Sequence, residues 1–274
     1  MTTNINVIGR FGRVALEVHD KELGSTTRAH PQIIFKVGGS DCDMVLGNLA
    51  LSLSQNSAVA LNSWATYRQR PLGVEASQIM SLSADPDWLA LQLDRPLGSE
   101  ETLFRIAELP VAGMIRMCRK IILFALRAPN IIKEPILERQ MSTLFRFALA
   151  RNGYPARSII ERAIPQADER IERAIAVLND SQGQISDSKL LASVGHVSRS
   201  QLFELFKEAT GVTPLQYATA LRVEHAVSAL CVTDAPLSSV ALELGFSSQA
   251  NFSRFMKHHV GLSPGKFRRA CLVL

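Results

Sequence analysis

The feature that most constrains this chain is a repeat. Moved back by fifty positions, PLSSVALELGFSSQANFSRFMKHHVGLSP (236–264) falls onto SDSKLLASVGHVSRSQLFELFKEATGVTP (186–214). Gly195 meets Gly245, Ser198 meets Ser248, Lys207 meets Lys257, Gly211 meets Gly261 and Pro214 meets Pro264. Leu202, Leu205 and Phe206 lie over Phe252, Phe255 and Met256. Such self-similarity marks the structural unit. Each unit predicts a short helix, over 187–194 or 237–244, ending at a glycine that can take positive φ and turn the chain. Ser198 or Ser248 then caps a second helix, whose apolar residues recur three and four apart. Two helices joined by a tight turn form a helix-turn-helix, a unit whose second helix can enter the DNA major groove.

The outward face of that second helix carries the chemistry. In the second unit it offers Gln249, Asn251, Ser253, Arg254 and Lys257. Arg pairs bidentately with guanine and Gln or Asn with adenine, while Ser and Lys suit phosphates. In the first unit the same face offers Arg199, Ser200, Phe203, Glu204 and Lys207. Phe203 can pack on a thymine methyl and Glu204 can accept from cytosine N4, although a carboxylate beside phosphates is repelled. With the caps Ser198 and Ser248 these residues make up the expected DNA-binding set. The competing reading is a solvated face in an α-helical bundle, which two aligned units make harder to sustain.

These residues carry a family resemblance. Residues from about 166 to 270 resemble the DNA-binding domain of AraC/XylS transcription regulators, and GFSSQANFSRFMKHHVGLSPGKFRR is the stretch that matches most closely. The resemblance implies two helix-turn-helices joined by a long helix, here about 215–232 and including Arg222. It also implies a cupin-like effector-binding barrel followed by dimerising helices ahead of that domain. Phe203 and Glu204 depart from the polar or basic base-readers of the family.

The first half fits that order. GRVALEV, PQIIFKVGG, DMVLGNLALSL, SAVALNSW and ASQIMSLSA alternate apolar and polar residues between Gly, Asn and Asp breaks, which predicts strands of a small barrel or sandwich. ETLFRIAELPVAGMIRMCRKIILFAL and EPILERQMSTLFRFALAR then turn to helical periodicity. Leu137, Met141, Leu144 and Ala148 fall at coiled-coil spacing, open to two readings: a dimer seam, or packing on the chain's own barrel. The expected organisation is α+β: 1–152 a cupin-like effector-binding and dimerisation domain, 153–166 a linker with Gly153, Pro155 and Pro165, and 167–274 an all-α DNA-binding domain.

Thr66, Arg68 and Arg70 share one face of an extended strand. Paired guanidiniums repel unless solvated or bridged by an anion, and Arg grips phosphate or carboxylate bidentately. They are either solvated arginines or an anionic effector site. Closely spaced arginines of this kind resemble those with which PilZ-type receptors hold cyclic di-GMP, the specific effector expected here. The net charge of +5 gives mild support, because residues 1–165 hold 19 Lys/Arg against 15 Asp/Glu while 166–274 hold 11 against 10.

Other classes find little support. His19 and His30 have no neighbouring histidines, and His258 and His259 are adjacent on a helix, so no metal cluster is expected. No Ser/His/Asp set or phosphate-cradling glycine loop is present, and neither an enzyme nor a cofactor is expected. With 47% hydrophobic and 20% charged residues and no run of about 18 apolar residues, the chain reads as soluble and cytoplasmic, with no membrane partner. Cys42, Cys118, Cys231 and Cys271 lack paired spacing, which predicts reduced thiols. The functional expectation is a homodimeric regulator, an activator in preference to a repressor, binding double-stranded promoter DNA under control of a small anion. The alternatives are a ligand-independent repressor or architectural protein, and a cupin-type enzyme fused to a DNA-binding domain.

Overall fold

The computed structural model describes residues 4–97, 102–105, 107–127, 134–152, 168–185, 187–210, 212–260 and 262–273. The expected linker, 153–166, lies outside them. Strands β1 (Ile5–Gly9), β2 (Gly12–His19), β3 (Leu23–Thr27), β4 (Gln32–Gly38), β5 (Cys42–Leu46), β6 (Leu49–Leu53), β7 (Ser57–Leu61), β8 (Thr66–Pro71) and β9 (Ser77–Ala84) come first. Helix α1 (Pro86–Leu93), strand β10 (Glu108–Pro110), and helices α2 (Gly113–Arg127) and α3 (Glu134–Asn152) complete the N-terminal domain.

The strands form two sheets, ordered β10-β7-β4-β9-β2-β1-β11 and β3-β8-β5-β6, where β11 (Cys271–Val273) is the C-terminal strand. Of the barrel and the sandwich, the strands thus follow the second: two packed sheets, with the cupin-like barrel not closed. One face of the large sheet, with Val14, Leu16, Phe35, Met80 and Leu82, packs under α1–α3. Its other face, with Ile34, Val59, Leu61 and Ile79, meets Met44, Leu53 and Tyr67 of the small sheet. The period-2 alternation of each strand produces both contacts.

Several local expectations change for identifiable reasons. DMVLGNLALSL folds back at Gly47, whose φ of 57° suits a tight turn, so β5 and β6 form a hairpin with Leu46 opposite Leu49. The helix expected from residue 101 starts only at Gly113, because Glu108–Pro110 pairs with Ser57–Val59 as an edge strand. Helix α1 has its start encoded locally: Asp85 accepts from Trp88 N and Pro86 occupies the first turn. Leu137, Met141, Leu144 and Ala148 are at most 1% exposed inside the domain's own core, so they are not free to form a dimer seam.

The C-terminal domain consists of α4 (Glu169–Asp180), α5 (Ser188–Val194), α6 (Arg199–Thr210), α7 (Pro214–Val232), α8 (Leu237–Glu243), α9 (Gln249–Val260) and α10 (Pro264–Arg269). Two cores fill its two units, and α7 serves both. Tyr217, Ala218 and Ala220 pack with Leu202 and Phe206, while Val223, Ala226, Val227 and Leu230 pack with Phe252 and Met256. A capping box between Thr213 and Gln216 starts this helix. The two turn glycines differ. Gly245 takes φ 73° as expected, but Gly195 has φ −76° and His196 takes the left-handed position at φ 53°. Gly195 is still needed, because a Cβ there would lie 2.9 Å from the Arg170 carbonyl oxygen.

The two domains touch. β11 pairs in parallel with β1, with Asn6 opposite Cys271. Trp64 stacks on Tyr217 at 3.7 Å and 15°, and the Arg13 guanidinium lies 5.5 Å from the centre of the Phe267 ring. Arg28 Nη2 donates to the His259 carbonyl at 3.3 Å. The expectation of four reduced thiols also fails: Cys231 and Cys271 are bonded across 40 residues, while Cys42 and Cys118 are free and buried. That pairing depends on where α7 and β11 meet, which residue spacing cannot reveal.

Candidate nucleic-acid interface and effector site

Helices α6 and α9 are the second helices of the repeat. Their apolar sides are sealed: Leu202, Phe206, Phe252 and Met256 are fully buried. Their caps form as the sequence implies. Gln201 N donates to Ser198 Oγ at 3.2 Å and Ser198 N to Gln201 Oε1 at 3.0 Å, a capping box. In α9, Asn251 N donates to Ser248 Oγ at 3.1 Å.

The opposite sides face solvent. On α6, Ser198, Arg199, Ser200, Glu204 and Lys207 are exposed, and Phe203 is half-buried with the Arg199 guanidinium 5.8 Å from its ring centre. On α9, Ser248, Gln249, Arg254 and Lys257 are exposed, and Asn251 and Ser253 are half-buried. Arg254 donates to Asn251 Oδ1, and Asn251 Nδ2 donates to Ser247 Oγ at 2.5 Å, so the polar side chains of this face are already oriented. Beyond α9, Lys266 and Arg269 on α10 are also exposed. The Lys/Arg cluster in GKFRR was the signal for these two. Arg222 lies 4.1 Å from the Phe246 ring centre and 5.4 Å from that of Phe255, beneath α9. Burial lowers its guanidinium pKa.

The expected effector residues sit on the outer face of β8. Thr66 Oγ1 lies 2.7 Å from Thr27 Oγ1. Arg68 and Arg70 are both exposed, opposite Val45 and Asp43 of β5. Arg70 faces the Asp43 carboxylate at 3.7 Å, which answers part of the repulsion between the two guanidiniums. Thr66 and Arg68 join Ser25, Val45, Gly47 and Tyr67 around an open depression of about 390 Å³, and Arg70 lies outside its lining.

A second polar cluster lies inside, and the sequence reading missed it. Arg13 donates to Asn6 Oδ1 at 2.9 and 2.6 Å and to Glu17 Oε1 at 2.7 Å, and His19 Nε2 lies 3.6 Å from Glu17 Oε2. Burial would raise the Glu17 carboxyl, but Arg13 above all, with His19 and Arg28, holds it down at about 2. Arg28 is 5% exposed, and its Nη1 has no hydrogen-bond partner; neither has Gln69 Nε2. The Tyr67 hydroxyl pKa is raised by burial and moderated by Arg28. Alternation along β2, with Val14 and Leu16 lying between Arg13 and Glu17, was the only trace of this cluster. Among the described residues no group of three His, Cys, Asp or Glu side chains is placed to hold a metal, and no helix is long and apolar enough to cross a membrane.

A helix-turn-helix family model matches residues 191–270. The probable transcriptional regulator LumQ of Photobacterium leiognathi is 36% identical over 40% of this chain and 47% of its own length. The arabinose operon regulatory protein of Escherichia coli K12 is 34% identical over 42% of this chain and 39% of its own. The chain thus spans less than half the length of these curated relatives. ToxT from Vibrio cholerae O395 superimposes over 93% of this chain and 97% of its own, with TM-score 0.57 and 12% identity, which shows a shared two-domain fold. Another ToxT structure, TM-score 0.57 and 13% identity over 98% of this chain and 96% of its own, holds an unsaturated fatty acid.

Proposed function

The chain carries a DNA-binding domain of the AraC/XylS family, and from that premise we propose that it is a sequence-specific transcription regulator, more an activator than a repressor, working on chromosomal DNA in the cytoplasm. One observation carries the reading: both second helices of the repeat seal their apolar sides in separate cores and leave Arg, Lys, Gln and Ser side chains outward. On α9, Gln249, Asn251 and Arg254 read base edges, and Ser253 and Lys257 hold backbone; Lys266 and Arg269 extend the phosphate contacts. On α6, Arg199, Ser200 and Lys207 contact DNA, with Phe203 and Glu204 as the weaker readers. Chromatin immunoprecipitation, paired with transcript levels after gene deletion, tests this. Bound sites upstream of genes whose transcripts fall support an activator; rising transcripts point to a repressor, and the absence of promoter-proximal sites removes the reading.

The regulatory signal is a small anion bound by the N-terminal domain. Thr66, Arg68 and Arg70 form the open candidate, with cyclic di-GMP as its ligand. A second reading rests on Arg28, a buried cation with an unpartnered Nη1 on the side facing the DNA-binding domain. Apolar Ile34, Met44, Leu53 and Leu61 face one another between the sheets, and ToxT, which shares the fold, binds an unsaturated fatty acid. A carboxylate with an apolar body suits that setting. Calorimetry with cyclic di-GMP and with long-chain carboxylates on wild type, Arg68→Ala, Arg70→Ala and Arg28→Gln separates the two. Loss of either arginine grip costs about tenfold to a hundredfold in affinity, from about 1.5–3 kcal/mol per charged hydrogen bond. Binding of neither ligand class leaves a ligand-independent regulator.

The dimer surface moves from α3 to α2. Met114, Met117, Ile121 and Phe124 are spaced as in a two-helix seam, and Met114, Met117 and Phe124 are 54%, 61% and 64% exposed. A second copy of α2 covers them. Light scattering of wild type and Phe124→Glu tests it: a dimer that becomes monomeric agrees, and a dimer unaffected by the charge does not.

A further inference from the structure

The four cysteines divide into two kinds. Cys42 and Cys118 are buried, and burial pushes the Cys42 thiol up to about 11 and raises that of Cys118, which leaves them poor nucleophiles. Cys231, in the last turn of α7, and Cys271, the first residue of β11, are each partly exposed. Their Cα atoms are 5.4 Å apart, within the range a disulfide spans without backbone movement.

The place of this bond matters more than its presence. α7 is the helix shared by both units of the DNA-binding domain, and β11 is the outermost strand of the N-terminal domain's large sheet. Asn6 N donates to the Ala270 carbonyl at 2.6 Å, and Asn6, Val7 and Ile8 pair with Cys271, Leu272 and Val273. Ile8 also packs into the second unit's core beside Cys231 and Cys271. One covalent bond therefore ties the central DNA-binding helix to a strand completing the sensor's sheet. Without it β11 is a three-residue strand on a sheet edge, too short to hold its place by pairing with β1 alone.

We propose that Cys231 and Cys271 are a redox modification site, oxidised reversibly by low-molecular-weight disulfides, whose bond clamps the DNA-binding domain onto the N-terminal sheet. One thiolate attacks the small disulfide, forming a mixed disulfide and expelling one small thiolate. The second cysteine thiolate then attacks the protein sulfur of that mixed disulfide and expels the other. The two protons lost by the cysteines end on the two departing thiols, the small disulfide is reduced and the cysteine pair is oxidised. An excess of small thiol runs the same steps backwards.

The test uses the full chain equilibrated in glutathione buffers from fully reduced to fully oxidised. Alkylation with mass spectrometry reads the pair, and amide exchange reads residues 5–8. Oxidised wild type is expected to protect these amides at least tenfold more than reduced wild type. Cys231→Ser is expected to behave as reduced wild type in both buffers, and Cys42→Ser to switch as wild type does. Should the serine variant fold poorly, wild type in the two buffers decides alone. Protection that ignores the redox state overturns the proposal, as does a pair that stays reduced in oxidised glutathione or stays bonded in reduced glutathione.

Discussion

Replacing Trp64 by alanine should weaken the seat of the DNA-binding domain. Trp64 is 5% exposed, and its indole lies flat on Tyr217, which is fully buried in α7. Truncating a buried Trp costs about 3–5 kcal/mol, of which the stack itself supplies about 0.5–1.5 kcal/mol. Trp64 holds φ 65°, and alanine would sit there at much the same backbone cost, so the difference reports the side chain. Tyr217 also meets Phe206 edge-on at 5.4 Å and donates to Asn179 Oδ1 at 3.2 Å, so Tyr217→Ala alone overstates the contact. A double-mutant cycle isolates it. Urea unfolding followed by circular dichroism gives the four stabilities, with Trp64→Phe as the milder variant if alanine leaves too little folded protein. A coupling within about 0.3 kcal/mol of zero refutes the docking of the two domains through this stack.

Other consequences are as concrete. Arg254→Ala should cost about 1–3 kcal/mol on a specific site and relax one base position, whereas Lys257→Ala should weaken all duplexes alike and lower the salt slope by about 0.9; equal losses on specific and random DNA would undo that division. Gly245→Ala and Gly195→Ala should each destabilise by about 1–3 kcal/mol, the first because φ is 73° and the second because its Cβ meets a carbonyl oxygen at 2.9 Å; an unchanged melting temperature in either would contradict the stated cause. Burial, with His258 adding to it, depresses the His259 pKa from 6.5 to about 4, so the unfolded chain binds this proton first and stability should fall as pH drops from 6.5 to 4. Glu17, lowered from 4.5 to about 2, adds a further loss between those values. His259→Gln should flatten the upper part of a melting-temperature profile, and a wild-type profile flat from 6.5 to 4 would exclude that role.

The C-terminal domain was legible because its determinants are local. Glycine turns, serine caps and apolar positions three and four apart lie within single thirty-residue units, and Leu202, Phe206, Phe252 and Met256 are buried as that spacing required. The N-terminal domain was harder. The spacing of Leu137, Met141, Leu144 and Ala148 shows that one face of α3 is covered, but not whether its own sheet or a second copy covers it. α2 is charged along one side, at Arg116, Arg119 and Lys120, and apolar around the rest, which hid the exposed Met114, Met117 and Phe124 among true core residues. The Arg13–Glu17 pair and the Cys231–Cys271 bond depend on tertiary placement, which alternation along a strand and the spacing of cysteines do not reveal.

The central claim is that two helix-turn-helix units held by one helix read DNA together, and selection from random duplexes by the full chain tests it most directly. The rigid connection through α7 should place the units in successive major-groove segments on one face of the duplex. The expected result is an enriched motif in two blocks with centres about one helical turn (~10 bp) apart, the sharper block lost by Arg254→Ala. A pool that stays random, or a single block with no second contact, would contradict it.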